Sequence, residues 1–255
     1  MEGFNDMMKP FFLFASLLLA ILIPSISHTS VWSHPAPGIE YQDIGSNLLN
    51  PWSHIHVFRI DLKENQFDLV LAHNLKKPYA SVDEFSQHSQ ALITLNGGFF
   101  DKNHHPLGLR IGHQQLQNPL KRISWWGVFY IKNQIPRVTS IQQFKQDKQI
   151  DFALQSGPRL LVDGNIPSLK PGLAERSALG IDAFNHVIVL VTENHPMTTT
   201  ELAQLMKSAP LDCQYALNLD GGSSSQLNAN IGLFQIHVPG FANVSDAIII
   251  KPRNH

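Results

Sequence analysis

The sequence predicts an α+β fold, a single β-rich domain with a mixed sheet core and a few packing helices. Short apolar runs bounded by turn residues recur along the chain, which is typical of strands, whereas only two stretches carry clear helix-start signals. No internal repeat, low-complexity tract or central linker divides the chain. Because β-rich domains can reach about 250 residues, we expect one domain over residues 52–255.

The N-terminus has the pattern of an export signal. The apolar stretch Phe11–Ile23 is shorter than a typical membrane-spanning helix, and Ser25 and Ser27 supply the small residues that precede a cleavage site. We therefore expect a signal peptide over residues 1–27 and an N-terminal arm over 28–51, with an uncleaved membrane anchor as the alternative. The mature protein would be exported, periplasmic or secreted, with no stable membrane association after cleavage.

Strand patterns dominate the rest of the chain. The run Ile55–Leu62 alternates apolar and polar residues, and Phe67–Ala72 follows after a short polar turn, so the sequence predicts a hairpin. Further strands are predicted at Ala91–Leu95, Trp126–Ile131, Phe152–Leu154, Arg159–Val162, Ala178–Ile181, Val187–Val191, Ala216–Leu219, Phe234–Val238 and Ala247–Ile250.

Two helices are indicated by their first residues. Ser81 with Glu84, and Thr198 with Glu201, have the spacing of a capping box, in which a hydroxyl and a carboxylate satisfy otherwise unpaired backbone amides. The second helix would then pack an apolar face against the strands on either side of it.

Composition excludes several functions. With 15% charged residues and a net charge of -1, the chain has no overall basic charge, so we expect no nucleic-acid partner. Its histidines show no metal-ligand spacing, so we expect no metal and no cofactor. The single cysteine, Cys213, cannot form an intramolecular disulfide and is interpreted as a small buried residue. The serines at 223–225 lack the Gly-x-Ser-x-Gly elbow of many hydrolases.

Two stretches place an acid and paired glycines directly after a predicted strand. They are "NGGFFD" at 96–101 and "NLDGGSSSQL" at 218–227. Glycine pairs let a ligand or another backbone segment come close, and two such strand ends could meet at one rim of the domain. Each could also be merely a bulge or tight turn.

Arginine supplies the positive charge that such a site would need. Arg176 enters a predicted strand, and a planar guanidinium binds phosphate or carboxylate through two parallel hydrogen bonds. Arg159 is a weaker candidate of the same kind.

Read together, the motifs resemble one known family. In chain order they are "TLNGGFFD", "PLGLRIG", "SGPRLLVDGNI", "ERSALGID", "VIVLVTEN", "MTTTELAQLM" and "YALNLDGGSSSQL". They resemble the phosphodiester glycosidase family, in its bacterial exported branch, from about Phe58 to Ile250. Three departures stand out: Ser177 replaces a common threonine, Ser223 a glycine, and Glu193-Asn194 the usual Asp-Gly.

The resemblance implies hydrolysis of a sugar-1-phosphodiester at the glycosidic carbon. Carried over to this sequence, it makes Asp220 the nucleophile or electrostatic stabiliser of an oxocarbenium-like transition state, and Asp101 the second carboxylate. Arg176 would neutralise the phosphate with the backbone amides around Gly221 and Gly222. The other residues expected to bind substrate are Asn96, Gly97, Gly98, Ser223 and Ser224.

Two alternatives stay open at this point. One is a non-catalytic module of the same fold that binds glycan phosphates, and the other is a phosphodiesterase that cuts on the phosphate side. The expected partner is a small-molecule or glycan sugar-1-phosphodiester. By analogy alone, export places envelope or exopolysaccharide glycans within reach of the protein.

Overall fold

The structure, a computed structural model, describes residues 31–45 and 49–254. The predicted signal peptide, residues 1–27, lies outside the described residues. The strands are β1 (Ser33–Ala36), β2 (Ile39–Asp43), β3 (His54–Ile60), β4 (Asn65–Leu71), β5 (Ile93–Asn96), β6 (Arg110–Gly112), β7 (Gln115–Asn118), β8 (Gly127–Lys132), β9 (Ile135–Ser140), β10 (Ile150–Ser156), β11 (Arg159–Leu161), β12 (Ser177–Asp182), β13 (Val187–Glu193), β14 (Cys213–Asn218), β15 (Leu227–Ile231), β16 (Phe234–Val238) and β17 (Asp246–Pro252). The helices are α1 (Val82–Ser89) and α2 (Thr199–Lys207), with 3-10 turns at Ala72–Leu75 and Gly222–Ser224.

The strands form three sheets. One has the order β1-β2-β3-β13-β12-β14-β11, and the five-stranded sheets have the orders β7-β6-β10-β8-β9 and β16-β15-β5-β17-β4. The predicted β-rich character is confirmed, although two short helices fit the α+β label only loosely. The predicted mixed sheet is wrong, because every strand pair in the described residues is antiparallel.

The predicted hairpin between the first two long strands is also wrong. β3 pairs with β2 and β13, whereas β4 pairs with β17 in a different sheet. The short turn between them therefore joins two sheets rather than two neighbours. The alternation of apolar and polar residues predicts that each run forms a strand, but it does not predict which strand it pairs with. The residues of the predicted N-terminal arm contribute β1 and β2, at the edge of the seven-stranded sheet.

The core lies between the sheets and under the two helices. Successive residues of β13 point to opposite sides: Val189 joins the central core, which draws on all three sheets, and Leu190 packs with α2. Both predicted capping boxes are confirmed, with Ser81 accepting from the Glu84 amide and Thr198 from the Glu201 amide. No helix within residues 31–45 and 49–254 is long and apolar enough to span a bilayer.

Candidate active site

The ends of several strands meet at one edge of the fold. β5 ends at Asn96 beside Ala247 of β17, and β14 ends at Asn218 beside Ala178 of β12. Antiparallel pairing thus places the start of one strand next to the end of its neighbour. Both glycine-containing stretches singled out in the sequence consequently lie at this edge.

Asn96 links the two stretches. Its side-chain amide donates to the carbonyl oxygen of Asp220 at 2.8 Å, and its Oδ1 accepts from the Ser177 hydroxyl at 2.7 Å and from the Gln226 amide at 3.2 Å. The side chain is fully buried. Asn96 therefore positions the turn that carries Asp220, and its hydrogen-bonding groups are already used by protein rather than free for the predicted contact with sugar hydroxyls.

Gly97 and Gly98 pack on a buried ion pair. The Arg110 Nε lies 3.0 Å from the Asp246 Oδ1, and both side chains are fully buried. A Cβ on Gly97 would stand 1.8 Å from that same oxygen, and one on Gly98 would stand 2.7 Å from an Arg110 nitrogen. Only glycine fits so close an approach.

The amides of the same glycines are occupied as well. Gly97 donates to the Asp246 carbonyl at 3.0 Å and Gly98 to the Asp246 carboxylate at 3.3 Å. The structure thus gives these glycines a structural role, which is to seat the turn on Asp246, and their role in binding substrate stays a prediction.

Asp220 is a half-buried carboxylate whose ionisation is disfavoured. Burial raises its pKa to about 6, an increase to which nearby Asp246 adds, while hydrogen bonds from Ser224 and the Gly221 amide and the charge of Arg110 oppose it. The Gly221 amide donates to the Asp220 Oδ1 at 3.0 Å. A half-buried carboxyl group with a pKa close to neutral pH is suited to act as an acid, as a base or as a stabiliser of positive charge.

The turn after Asp220 leaves one amide free. Gly222 donates to the Glu175 carbonyl at 2.8 Å, and Ser224 donates to the Gly221 carbonyl at 3.3 Å. Of the amides predicted to bind phosphate, those of Gly221 and Gly222 are thus already paired. The exposed Ser223 has an amide that makes no hydrogen bond within the described residues, so it is the backbone donor available to a ligand.

Arg176 lies beside this turn. One of its terminal nitrogens, Nη1, lies 3.9 Å from the position that a Cβ on Gly221 would occupy. Nε donates to the Met197 carbonyl at 2.8 Å, and Nη2 donates to the Gly172 carbonyl. Among residues 31–45 and 49–254, no carboxylate lies within ion-pair distance of this guanidinium, although Arg176 as a whole residue is only 7% exposed.

The acid next to Arg176 is turned away from it. The Glu175 carboxylate accepts from the Thr192 hydroxyl and, at 3.1 Å, from the His195 amide. Burial lowers the pKa of Arg176, which reflects the cost of holding a charge out of water without a partner. The Nη1 group is left without a hydrogen-bond acceptor or counter-ion in the described residues, so an anionic ligand is the partner that best fits it.

Asp101 lies in a loop of its own. Its carboxylate accepts from the Asn103 amide at 2.8 Å and from the His105 amide at 2.9 Å, and these bonds hold its pKa below the usual range. The described contacts connect it to this loop and not to Asp220. A shared site for the two carboxylates stays a prediction.

The remaining sequence candidates have plain structural places. Cys213 is buried next to Gly180, and burial raises the pKa of its thiol. The aliphatic part of Arg159 packs on Gly127. No group of three or more potential metal ligands occurs in the part of the chain that the structure describes.

Sequence reasoning missed three buried residues that support the site: Arg110, Asp246 and Gln226. Arg110 stood within "PLGLRIG" and could have been noticed as a charge in an apolar run. Asp246 begins an apolar strand, and a carboxylate in that setting indicates a buried partner. Gln226 had no such signal, because its contacts come from remote segments.

Comparison with known proteins settles the family. A family model for phosphodiester glycosidases matches residues 89–251, well over half of the chain. The chain belongs to the phosphodiester glycosidase family. Membership indicates a glycosidase-type hydrolase, which agrees with the resemblance found in the motifs. The matched region contains the Asn96, Arg176 and Asp220 segments described above.

Individual relatives are more distant. The Escherichia coli K12 protein YigE is 29% identical over 155 residues, which cover 56% of this chain and 60% of YigE. The zebrafish N-acetylglucosamine-1-phosphodiester alpha-N-acetylglucosaminidase catalytic domain, auto-inhibited by its pro-peptide, has a TM-score of 0.64 at 18% identity, covering 84% of this chain and 82% of that domain. A hypothetical protein from Synechocystis has a TM-score of 0.62 at 16% identity, covering 86% and 63% of the two chains. These structural matches show a shared fold.

Proposed function

We propose that this protein is an exported hydrolase that cleaves the glycosidic bond of a sugar-1-phosphodiester. The observation that carries the proposal is the buried Arg176 guanidinium, which lacks a carboxylate partner in the described residues and lies beside the Asp220 turn. A buried cation is normally paired, and a phosphodiester would supply the missing negative charge next to a carboxylate of raised pKa.

The residues divide the reaction between them. Arg176 Nη1 and the Ser223 amide would bind the phosphate oxygens, which brings the anomeric carbon towards Asp220. As the bond between that carbon and the phosphate oxygen breaks, its electron pair stays with the phosphate and positive charge develops on the sugar. The ionised Asp220 stabilises this charge or attacks the carbon, and water then supplies the hydroxyl of the released sugar.

The leaving group needs little help from an acid. A phosphomonoester is already a stable anion, so the site requires a carboxylate at the carbon and positive charge at the phosphate rather than two matched acids. This division fits a site in which Asp220 is held at the edge of the glycine turn and Asp101 is tied to its own loop.

The test uses product identity and the position of a heavy-oxygen label from water. The substrate is the methyl ester of N-acetylglucosamine-1-phosphate, chosen because the zebrafish protein's name specifies that sugar. The proposal expects free sugar and a phosphomonoester without label, because the carbon–oxygen bond breaks. Sugar-1-phosphate, or label in the phosphate, would instead establish a phosphodiesterase. Tight binding without release would establish a binding module.

A matched variant pair connects the reaction to the site. Asp220→Asn should lose sugar release, whereas Asp212→Asn should keep it. Asp212 is exposed at the opposite end of β14 and has a φ of 47°, which asparagine tolerates.

A further inference from the structure

Two exposed apolar residues lie in the loops next to the proposed phosphate position. Leu173 is 69% exposed and Phe241 is 90% exposed. Scattered apolar residues on a protein surface need no explanation, but these two belong to loops that are hydrogen-bonded to the residues proposed to hold the phosphate.

The loop of Leu173 is fixed on both sides. The preceding residue, Gly172, accepts a hydrogen bond from Arg176 through its carbonyl. The following residue, Ala174, pairs with Met197 through backbone hydrogen bonds of 2.9 and 3.3 Å. Leu173 is therefore held in solvent next to the cation of the site.

The loop of Phe241 is fixed in the same way. The Ala242 amide donates to the Ser223 carbonyl at 2.9 Å, and the buried Gln226 donates to the Ala242 carbonyl at 3.0 Å. On the other side, a Cβ on Gly240 would stand 2.6 Å from the Gln226 side chain, so this loop lies directly on Gln226. Phe241 is thereby displayed beside Ser223.

A third apolar side chain lies near the other glycine turn. Trp125 is 57% exposed and meets Trp126 edge to face, and Trp126 stacks on Phe99 at 5.1 Å between ring centroids. Phe99 directly follows Gly98. The loops around the site thus present Leu173, Phe241 and Trp125 to solvent. The Leu173 loop also carries an exposed cation, Lys170, three residues before Leu173.

We infer that the group on the second ester oxygen of the phosphate is apolar, a hydrocarbon or lipid-type alcohol. The inference rests on the proposed function, because it takes the phosphate to lie between Arg176 and Ser223. One ester oxygen of the phosphate carries the sugar, which lies at Asp220. The substituent on the second ester oxygen then extends towards the loops of Leu173 and Phe241, and these two side chains can cover it. Removing such a group from water favours binding in proportion to the apolar area covered.

The test compares two product analogues, hexyl phosphate and methyl phosphate, by calorimetry at concentrations at which hexyl phosphate does not aggregate. We expect hexyl phosphate to bind at least about tenfold more tightly, since each buried methylene favours binding. Phe241→Ser and Leu173→Ser should each reduce that ratio severalfold.

Two matched variants serve as controls. Phe184 is 81% exposed in the turn after β12, and Leu233 lies fully exposed between β15 and β16; both positions are at the strand ends remote from the site. Phe184→Ser and Leu233→Ser should keep the ratio. Equal binding of the two phosphates, or an equal loss in the controls, would overturn the inference.

Turnover separates this inference from the hydrolase proposal. The hexyl ester of N-acetylglucosamine-1-phosphate should release sugar with a higher kcat/KM than the methyl ester. Tighter binding of hexyl phosphate with no sugar release from either ester would overturn the hydrolase and keep the apolar subsite. Sugar release at equal rates, with equal phosphate binding, would keep the hydrolase and overturn the subsite.

Discussion

Two arginine–aspartate sets lie close together at the edge of this fold and differ in how fully their polar groups are used. Arg110 and Asp246 are both fully buried, and the guanidinium also donates to the carbonyls of Phe99 and Gln155. Arg176 has a terminal nitrogen without a partner in the described residues, and Asp220 is only half buried. The Arg110–Asp246 ion pair holds the glycine turn in place, while Arg176 and Asp220, which do not pair with each other, have polar groups available to a ligand.

The largest effect on stability is expected from breaking the buried Arg110–Asp246 ion pair. Asp246→Asn leaves the Arg110 charge buried without its counter-ion, which should cost about 3–5 kcal/mol of unfolding free energy. Urea denaturation measures this loss, with Asp212→Asn as the control that stays near the parent. A variant of parental stability would show that the buried pair does not hold the turn.

The next effect is on turnover. Asp220→Asn keeps the size of the side chain but removes its charge, so sugar release should fall at least about a hundredfold, roughly 2.7 kcal/mol in barrier. Initial rates on the methyl ester measure the change. Near-parental turnover would remove Asp220 from the mechanism.

The same variant should not unfold the protein. The pKa of Asp220 is about 6 in the folded state, above its ordinary value of about 3.9. The contribution that protonation makes to stability is therefore present at low pH and lost as pH rises through about 6. At neutral pH, Asn removes an ionised group that the fold disfavours, so Asp220→Asn should melt no lower than the parent. A collapse in melting temperature would assign Asp220 a structural role.

Arg176→Lys tests whether the Arg176 guanidinium, with its unpaired Nη1 group, binds the phosphate. Lysine keeps the charge but loses the two-pronged geometry, so KM should rise about tenfold or more with a smaller change in kcat. Arg137→Lys, an exposed arginine on β9, is the matched control and should leave KM unchanged. An equal rise in both variants would point to overall charge rather than a specific phosphate contact.

The last prediction concerns the pH dependence of turnover, which changes gradually rather than by removal of a group. In the proposed reaction the ionised Asp220 stabilises positive charge, so kcat/KM should fall as pH drops through about 6. Below that pH, each further decrease of one pH unit should lower kcat/KM about tenfold. A rate profile over the acid range measures this limb, and stability checks at each pH exclude unfolding. A profile that instead rises towards acid would make the protonated Asp220 the active form.

Sequence reasoning recovered the local structure of the fold better than its long-range pairing. The capping boxes at Ser81 and Thr198 were readable because helix starts depend on residues three apart. The partner of β4 was not readable, since pairing with β17 joins residues far apart in the chain. Alternation in β4 is compatible with either a hairpin or this distant partner.

The site shows the same division. Asp220 and Arg176 could be selected from their residue type and setting, and the structure places both at one turn. The structural roles of Asn96 and Gly97 could not be predicted from the sequence, because their contacts come from Ser177 and Asp246 on other strands. Both residues are buried, and both support the turns of the candidate site through contacts with protein groups.

The dependence of the glycine turn on Asp246 also sets the order in which the site can be assembled. Gly98 and Asp246 are 148 residues apart, and β17 inserts between β4 and β5. A chain that emerges from the ribosome or a translocation pore N-terminus first presents Arg110 long before its counter-ion. The strand that completes the sheet therefore also completes the candidate site, so a growing chain can assemble this site only after β17 has been made.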